Sequence, residues 1–310
     1  MKKINVLSLF DGIACGYEAF NRCGILIDKY YASEIDKYAI TIANKNHPDI
    51  IQLGDINNID FTQFIDKVDI IIGGSPCIDL SILKHDRMGL DGDKSGLFYK
   101  FVEAIQTIKP KYFLLENVAS MKKEDKETIT NILGVEPILI NSALVSGQQR
   151  NRLYWTNIPD ITQPIDKKIK VKDILQKENS ENTKNKNIKI DYILEVAKRK
   201  DNEPIKIGKL ANLSSGQANR VYSINGKSIC LNANGGGGGA KTGLYKIDLP
   251  NNEYIVRKLT PIECERLQTL NDGYTEGISN TQRYKTIGNG WTVDVIAHIF
   301  SFLKQELDKQ

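Results

Sequence analysis

Two side chains are suited to covalent chemistry at a shared edge. Cys77 lies in Gly73-Gly74-Ser75-Pro76-Cys77-Ile78-Asp79-Leu80-Ser81, directly after the apolar run Val68 to Ile72, and Glu116 belongs to Leu114-Leu115-Glu116-Asn117-Val118. Near-continuous apolar runs are what strands of a parallel sheet covered on both faces require. Parallel neighbours would bring the thiol and the carboxyl to the same carboxyl-terminal edge, where open α/β sheets bind ligands. A loop cysteine beside a helix start can be a nucleophile. The apolar residues ahead of Glu116 disfavour its charged form, which would let the acid donate a proton. Cys77 also fits a small buried hydrophobe; Glu116 is the reason to read it as the nucleophile. Cys15, Cys23, Cys230 and Cys264 read as core.

A second constellation comes earlier. Phe10-Asp11-Gly12-Ile13-Ala14-Cys15-Gly16 places two glycines between a strand, Ile4 to Phe10, and a helical segment through Tyr17 and Phe20 that Gly24 ends. The spacing is not the Gly-x-Gly-x-x-Gly of dinucleotide folds. It fits either a tight turn or the approach of a nucleotide-like ligand to backbone and helix N-terminus. Glu34, eighteen residues after Gly16, is placed to accept hydrogen bonds from ribose hydroxyls, and Asp55 could accept one from an adenine amino group. Carboxylates at successive strand ends mark an adenosine site, although each alone also reads as a helix cap.

The elements that must hold these residues alternate. Strands at Tyr30 to Glu34 and Ile50 to Asp55 enclose a helix from Lys37 to Asn44. Strands at Val68 to Ile72 and Tyr112 to Leu115 flank a helix from Leu97 to Ile108, and Pro137 to Leu144 reads as another strand. This βαβαβ pattern predicts an α/β fold with a mostly parallel sheet. From about Lys167 the pattern changes to a loop-rich region with an Asn- and Lys-rich stretch, Lys177 to Lys189, and five consecutive glycines, Gly235 to Gly239. Between Ile161 and Leu210 there are 13 Lys or Arg against 8 Asp or Glu, a solvated face or a phosphate-contact surface. Regular pattern returns at Leu259 to Leu270, with Thr260 as N-cap and Pro261 at the first helical position. Val293, Ile296, Ile299, Phe300 and Leu303 recur at helical spacing and predict a final amphipathic helix that packs back onto the sheet.

Composition narrows the class. At 41% hydrophobic and 26% charged residues, the 310-residue chain is neither disordered nor fibrous. No apolar run approaches the roughly 20 residues that span a bilayer, so no membrane role and a cytoplasmic location are expected. Five cysteines without a Cys-x-x-Cys pair and only three histidines argue against a disulfide framework or a metal site.

Taken in order, Phe10-x-Gly12-x-x-x-Gly16, Ser75-Pro76-Cys77, Glu116-Asn117-Val118, Gln148-Gln149-Arg150-Asn151-Arg152, Arg257 through Cys264, and Gly288-Asn289-Gly290-Trp291 closely resemble the motifs of the cytosine-5 DNA methyltransferase family, over nearly the whole chain. Ser-Pro-Cys-x-Asp-Leu-Ser and Gly-Asn-x-Trp look most like the branch containing the eukaryotic de novo enzymes, whereas the size resembles a compact bacterial or phage member. Ile78 and Trp291 depart from the Pro-Cys-Gln and Gly-Asn-Ala-Val of many bacterial relatives.

The resemblance implies a Rossmann-like S-adenosylmethionine-dependent methyltransferase domain, residues 1–165 and 285–310, with an inserted target-recognition domain, residues 166–284. It implies covalent catalysis by Cys77 on a cytosine flipped out of double-stranded DNA, with Glu116 as the acid, Asn117 positioning it, Arg152 on the cytosine or its backbone and Arg150 organising the loop. Cofactor contacts are expected from Phe10, Asp11, Gly12, Ile13, Gly16, Glu34, Ile35, Asp55, Ile56, Pro76, Leu97, Asn289, Gly290 and Trp291. DNA contacts are expected from Ser81, Arg220, Asn234 and Gly236. The product would be S-adenosylhomocysteine, with no metal and no obligatory protein partner, in a prokaryotic, nucleoid-associated modification role.

Transfer-RNA cytosine-5 methyltransferases share these motifs but usually carry a Cys-Phe-Thr segment that Cys230-Leu231 and Cys264-Glu265 do not match. An inactive DNA-binding relative would be marked by loss of Cys77, Glu116 or Arg152, and all are present. A nicotinamide oxidoreductase would leave the Pro-Cys and Glu-Asn pairs unexplained.

Overall fold

A computed structural model describes residues 3–75, 97–177, 188–193, 202–211, 217–233 and 243–309; Pro76, Cys77, Ser81, Asn234 and Gly236 lie outside them. The chain forms two compact units, one of Met1–Ile140, Asn151–Gln163 and Val295–Gln310, the other of Asn141–Arg150 and Pro164–Asp294.

The first unit is built on seven strands, β1 (Ile4–Leu9), β2 (Ile27–Ser33), β3 (Ile51–Gln52), β4 (Ile70–Gly73), β5 (Tyr112–Val118), β6 (Ile138–Asn141) and β7 (Asn151–Thr156), in the order β3-β2-β1-β4-β5-β7-β6. The strands from β3 to β5 pair in parallel, and β7 runs antiparallel to β5. The order reverses beside β1, so a crevice for ligands is expected at the carboxyl ends of β1 and β4. Helices α1 (Cys15–Cys23), α2 (Lys37–Asn46), α3 (Phe98–Ile108) and α4 (Lys123–Leu133) connect the strands. All seven residues of β5 are buried, the apolar run Tyr112 to Leu115 and also Glu116, Asn117 and Val118, which follow it within the strand.

Two strands are shorter than their apolar runs suggest. Asp55 and Asn141 turn their carboxylate and amide oxygens onto the backbone N–H two residues on, capping the short turns Ile56–Asn58 and Ser142–Leu144. This local bond competes with the sheet ladder and ends the strand.

The second unit contains a five-stranded sheet of β8 (Ile190–Tyr192), β9 (Ile205–Leu210), β10 (Arg220–Ser223), β11 (Leu244–Asp248) and β12 (Tyr254–Arg257), in the order β12-β11-β10-β9-β8. The sequence suggested loops here, because strands of three to six residues separated by Gly and Asn give too little periodicity to read. Tyr222 and Tyr245 from one face pack into a core with Leu231, Leu259, Leu267, Tyr284 and Ile287. Around it lie α5 (Val171–Ile174), α6 (Pro261–Leu267) and α7 (Asn280–Asn289). The start of α6 is a reciprocal capping box. Thr260 Oγ1 accepts from Glu263 N, and the Glu263 carboxylate accepts from Thr260 N.

The chain ends on α8 (Val293–Asp308). Its Phe300 stacks on Phe20 of α1 at 4.1 Å, so the amphipathic stripe packs back into the first unit as its spacing predicts. Among the described residues no helix is long and apolar enough to cross a membrane.

Candidate active site

At the carboxyl ends of β1 and β2 the backbone is strained and acidic. Phe10 and Ala14 both hold φ of 62°, a left-handed conformation that costs a side-chain-bearing residue of order 1 kcal/mol or more. Asp11 Oδ1 accepts from Ser8 Oγ at 2.6 Å and Tyr30 OH at 2.7 Å, while its buried Oδ2 has no hydrogen-bond partner among the described residues. Burial, with the Glu34 carboxylate adding to it, pushes the Asp11 carboxyl up to about 6 in spite of the two hydroxyl donors.

Glu34 faces the same turn. Its Oε2 accepts from Gly12 N at 2.8 Å, and its Oε1 accepts from Ile35 N and Asp36 N. Asp36, not Glu34, caps α2. The two acids differ in their local bonds: Glu34 braces the glycine turn, whereas Asp55 caps the short turn that follows it, its Oδ1 accepting from both nitrogens of Asn57. No bond among the described residues uses Asp55 Oδ2. Beside Glu34, Ile35 is 74% exposed, an apolar side chain left at the rim. Ile13 and Gly16 are buried, and Leu97 precedes α3 at its N-cap. Ile56, expected at the cofactor, is packed in the apolar core that includes Phe61 and Phe64, which accounts for its burial.

The residues present fit S-adenosylmethionine. An orphaned carboxylate oxygen next to a second carboxylate is a place for N–H or O–H donors carrying positive charge. The cofactor offers an amino group, a sulfonium and two ribose hydroxyls.

Further along the same sheet, Glu116 is 8% exposed, and its Oε1 lies 2.7 Å from Arg152 Nε. Register explains the pair: Val118 pairs with Arg152 and Glu116 with Tyr154, so the two charges are diagonal neighbours across β5 and β7. The sequence reading gave Arg152 to the cytosine or its backbone; the structure also gives it the acid. Asn117 differs from its expected role. Its Nδ2 donates to Ser75 Oγ at 3.1 Å and Ser75 O at 3.4 Å, and its Oδ1 accepts from Val118 N. It therefore ties the end of β5 to the residue just before Pro76-Cys77 and does not turn its amide to Glu116.

The second unit holds Arg150, 4% exposed, in a cage of carbonyls. Its NH1 donates to Leu231 O at 2.9 Å and its NH2 to Gly290 O at 3.1 Å and Gly288 O at 3.4 Å. These bonds tie Arg150 to the backbone around Leu231 and to the end of α7. Asn289 ends α7 exposed, Gly290 caps the helix, and Trp291 is half-buried. Arg220 opens β10 with its Nε buried and without a hydrogen-bond partner among the described residues.

Sequence reasoning missed two further buried polar residues. Gln268 is fully buried. Its Nε2 donates to Ile287 O and Gly290 O, and its Oε1 accepts from Gln148 Nε2 and Thr292 Oγ1. Lys227, 1% exposed, donates to the carbonyls of Ala143, Ser146 and Ile169 at 2.5, 3.0 and 2.6 Å. Burial pushes its ammonium below the usual lysine range, partly offset by Asp166. A single Lys in a basic region carries no signal of burial, and Gln268 would have been found only by asking why an amide stands where the α6 pattern wants an apolar residue.

Known proteins align with this arrangement end to end. The profile of C-5 cytosine-specific DNA methylases matches residues 4–305. The orphan methyltransferase M.SPRI of Bacillus phage SPR is 25% identical over 98% of both chains. The type II methyltransferase M.HhaI of Haemophilus parahaemolyticus is 28% identical over 96% of this chain and 93% of its own. Among solved structures, the Entamoeba histolytica methyltransferase EhMeth superposes with a TM-score of 0.72 at 19% identity, covering 99% of each chain. The S. pombe Dnmt2 methyltransferase gives 0.69 at 16% identity over 98% of this chain and 99% of its own. With its sheet order, its buried strand-end acid and a profile match over nearly its whole length, the chain belongs to the C-5 cytosine-specific DNA methylase family.

Proposed function

We propose that the protein transfers a methyl group from S-adenosylmethionine to carbon 5 of a cytosine flipped out of a short, specific site in duplex DNA, through a covalent adduct with Cys77. The observation that carries this reading is the buried Glu116–Arg152 pair on β5 and β7, with Asn117 of the same strand bonded to Ser75 just ahead of Pro76-Cys77. An acid, its orienting cation and the start of the nucleophile loop are joined through one strand.

Carbon 5 of cytosine is too weakly nucleophilic to be methylated directly. The Cys77 thiolate adds to carbon 6, and the ring electrons move toward carbon 5. Glu116 hydrogen-bonds or protonates ring nitrogen 3, where charge develops during that addition, and Arg152 fixes the carboxyl in place for it. When bound, the cofactor supplies an electrophilic methyl group on sulfur. After transfer the carbon 5 proton leaves to solvent, the bond from carbon 6 to the Cys77 sulfur breaks, any proton taken by ring nitrogen 3 returns to Glu116, the thiolate is restored and 5-methylcytosine is released.

Asp11 and Glu34 would hold the cofactor's donors, with Asp55 Oδ2 for the adenine amino group and Phe10 and Ile35 for its apolar surface. By family resemblance Asn289, Gly290 and Trp291 are further residues we assign to the cofactor. Flipping the base costs a few kcal/mol, which phosphate contacts from the basic second unit would offset. Arg220, Asn234, Gly236 and Ser81 are the residues we assign to DNA. The protein would act on DNA in the cytoplasm, in a modification role like that of the type II relatives it resembles.

The test is expression of the wild type and of Cys77→Ser in a host without cytosine methylation, followed by bisulfite mapping of the genome. Methylation at one short motif, lost in Cys77→Ser, is expected. A blank map from soluble wild-type protein would contradict the reading, and methylated transfer RNA in the same cells would move the substrate class to RNA.

A further inference from the structure

The first glycine of Gly288-Asn289-Gly290-Trp291 has a neighbour that the cofactor does not explain. Gly288 lies in α7, and a Cβ built on it would stand 2.3 Å from both the carbonyl carbon and oxygen of Asn232 and 2.7 Å from Ala233 N. No side chain fits at that distance, so substitution must move one of the two backbones. Close approach, not an unusual backbone angle, is what demands glycine here.

Which backbone would move is decided by what holds each. The end of α7 is pinned through its carbonyls. Ile287 O and Gly290 O accept from Gln268 at 2.9 and 3.0 Å, and Gly288 O and Gly290 O accept from Arg150 at 3.4 and 3.1 Å. Gln268 is itself fully engaged, since its oxygen accepts from Gln148 and Thr292. On the other side, Leu231 is tied by its N–H to Gln148 Oε1 at 2.8 Å and by its carbonyl to Arg150. Asn232 and Ala233 lie outside any strand or helix. They lead directly to Asn234 and to the glycine run Gly235 to Gly239.

We propose that Gly288 is a positioning residue for target reading: by admitting the backbone of Asn232 and Ala233 against α7, it fixes where the chain enters the stretch that contacts DNA. Gln148 holds the same segment from the Leu231 side. The helix end that presents Asn289 to Trp291 and the segment that leads to Asn234 are thereby set against one another by a contact with no slack. This rests on the reading of the preceding subsection, in which Asn234 and Gly236 face DNA.

The experiment uses the full-length protein as wild type, Gly288→Ala and Gln148→Met. S-adenosylhomocysteine affinity is measured alongside kcat and KM for two duplexes, one carrying the methylated motif and one with a single base pair of that motif changed. Gly288→Ala is expected to keep S-adenosylhomocysteine binding within about threefold while the discrimination between the two duplexes falls by about tenfold or more, mainly through KM. Gln148→Met, which releases Leu231, is expected to change discrimination in the same direction, and it decides the matter alone if Gly288→Ala does not fold. Both variants discriminating as the wild type does would overturn the proposal. So would loss of discrimination in proportion to loss of S-adenosylhomocysteine binding, the mark of a general structural defect. A wild type that binds S-adenosylhomocysteine but no duplex would instead overturn the functional reading, and the inference with it.

Discussion

The acidic turn at β1 and β2 and the amide hub around Gln268 are both largely buried and polar, yet they are finished to different degrees. In the turn, Phe10 and Ala14 are held at left-handed angles, and Asp11 keeps a buried oxygen without a donor. In the hub, the amide of Gln268 uses both its donors and accepts twice, and Arg150 reaches the same Gly290 carbonyl. A satisfied network rigidifies what it joins, whereas an orphaned group is costly unless something else supplies its partner. The difference teaches that the first unit leaves a buried acceptor without a donor of its own, while the buried polar groups of the second unit hold its own loops.

The largest effect expected from breaking a brace is at Arg152. Arg152→Ala removes the guanidinium that lies 2.7 Å from the buried Glu116 carboxylate. It should lower methyl transfer by about 100-fold or more and cost about 3 kcal/mol in denaturant unfolding, with S-adenosylhomocysteine affinity little changed. An equal loss of cofactor binding would show that the pair supports the whole unit and not the acid alone.

The unfinished turn predicts the opposite sign. A carboxyl whose folded value lies above its unfolded one stabilises the fold only while protonated. The contribution of Asp11 should be lost as pH rises from 3.8 through about 6, by up to about 3 kcal/mol. The difference in stability between wild type and Asp11→Asn, followed across that window without cofactor, should therefore move in favour of the variant, while the variant binds S-adenosylhomocysteine more weakly. A flat difference would mean that Asp11 is not strained in the unliganded protein.

Smaller effects sharpen the contrast inside the second unit. Lys227→Met fills the volume but abandons three carbonyls, and should cost about 2 kcal/mol in chemical denaturation. Thr260→Ala removes only the Oγ1 that caps α6 and should cost about 1 kcal/mol, measured in the same way.

Much of this was readable before the structure, for physical reasons that differ by residue. β5 announced itself through the apolar run Tyr112 to Leu115, as a strand covered on both faces should, although the strand runs on through Glu116 and Asn117 to Val118. Thr260-Pro261 with Glu263 announced α6, because a capping box is local chemistry. The ion partner of Glu116 was not readable: the pairing of Arg152 depends on the antiparallel register of β7 against β5, which no spacing encodes. Asp55 and Glu34 looked alike in sequence, and only coordinates tell a cap from a brace. Lys227 was hidden for another reason, since the carbonyls that bury it come from Ala143, Ser146 and Ile169, more than fifty residues away.

The covalent step is tested most directly with a duplex carrying 5-fluorocytosine at the methylated position. Fluorine cannot leave carbon 5 as a proton does, so elimination of the enzyme is blocked after methyl transfer. With S-adenosylmethionine, the wild type should form a complex with this duplex that survives denaturing electrophoresis, and Cys77→Ser should form none. Methylation of ordinary duplex without a trapped complex, or a trapped complex that persists in Cys77→Ser, would contradict the account.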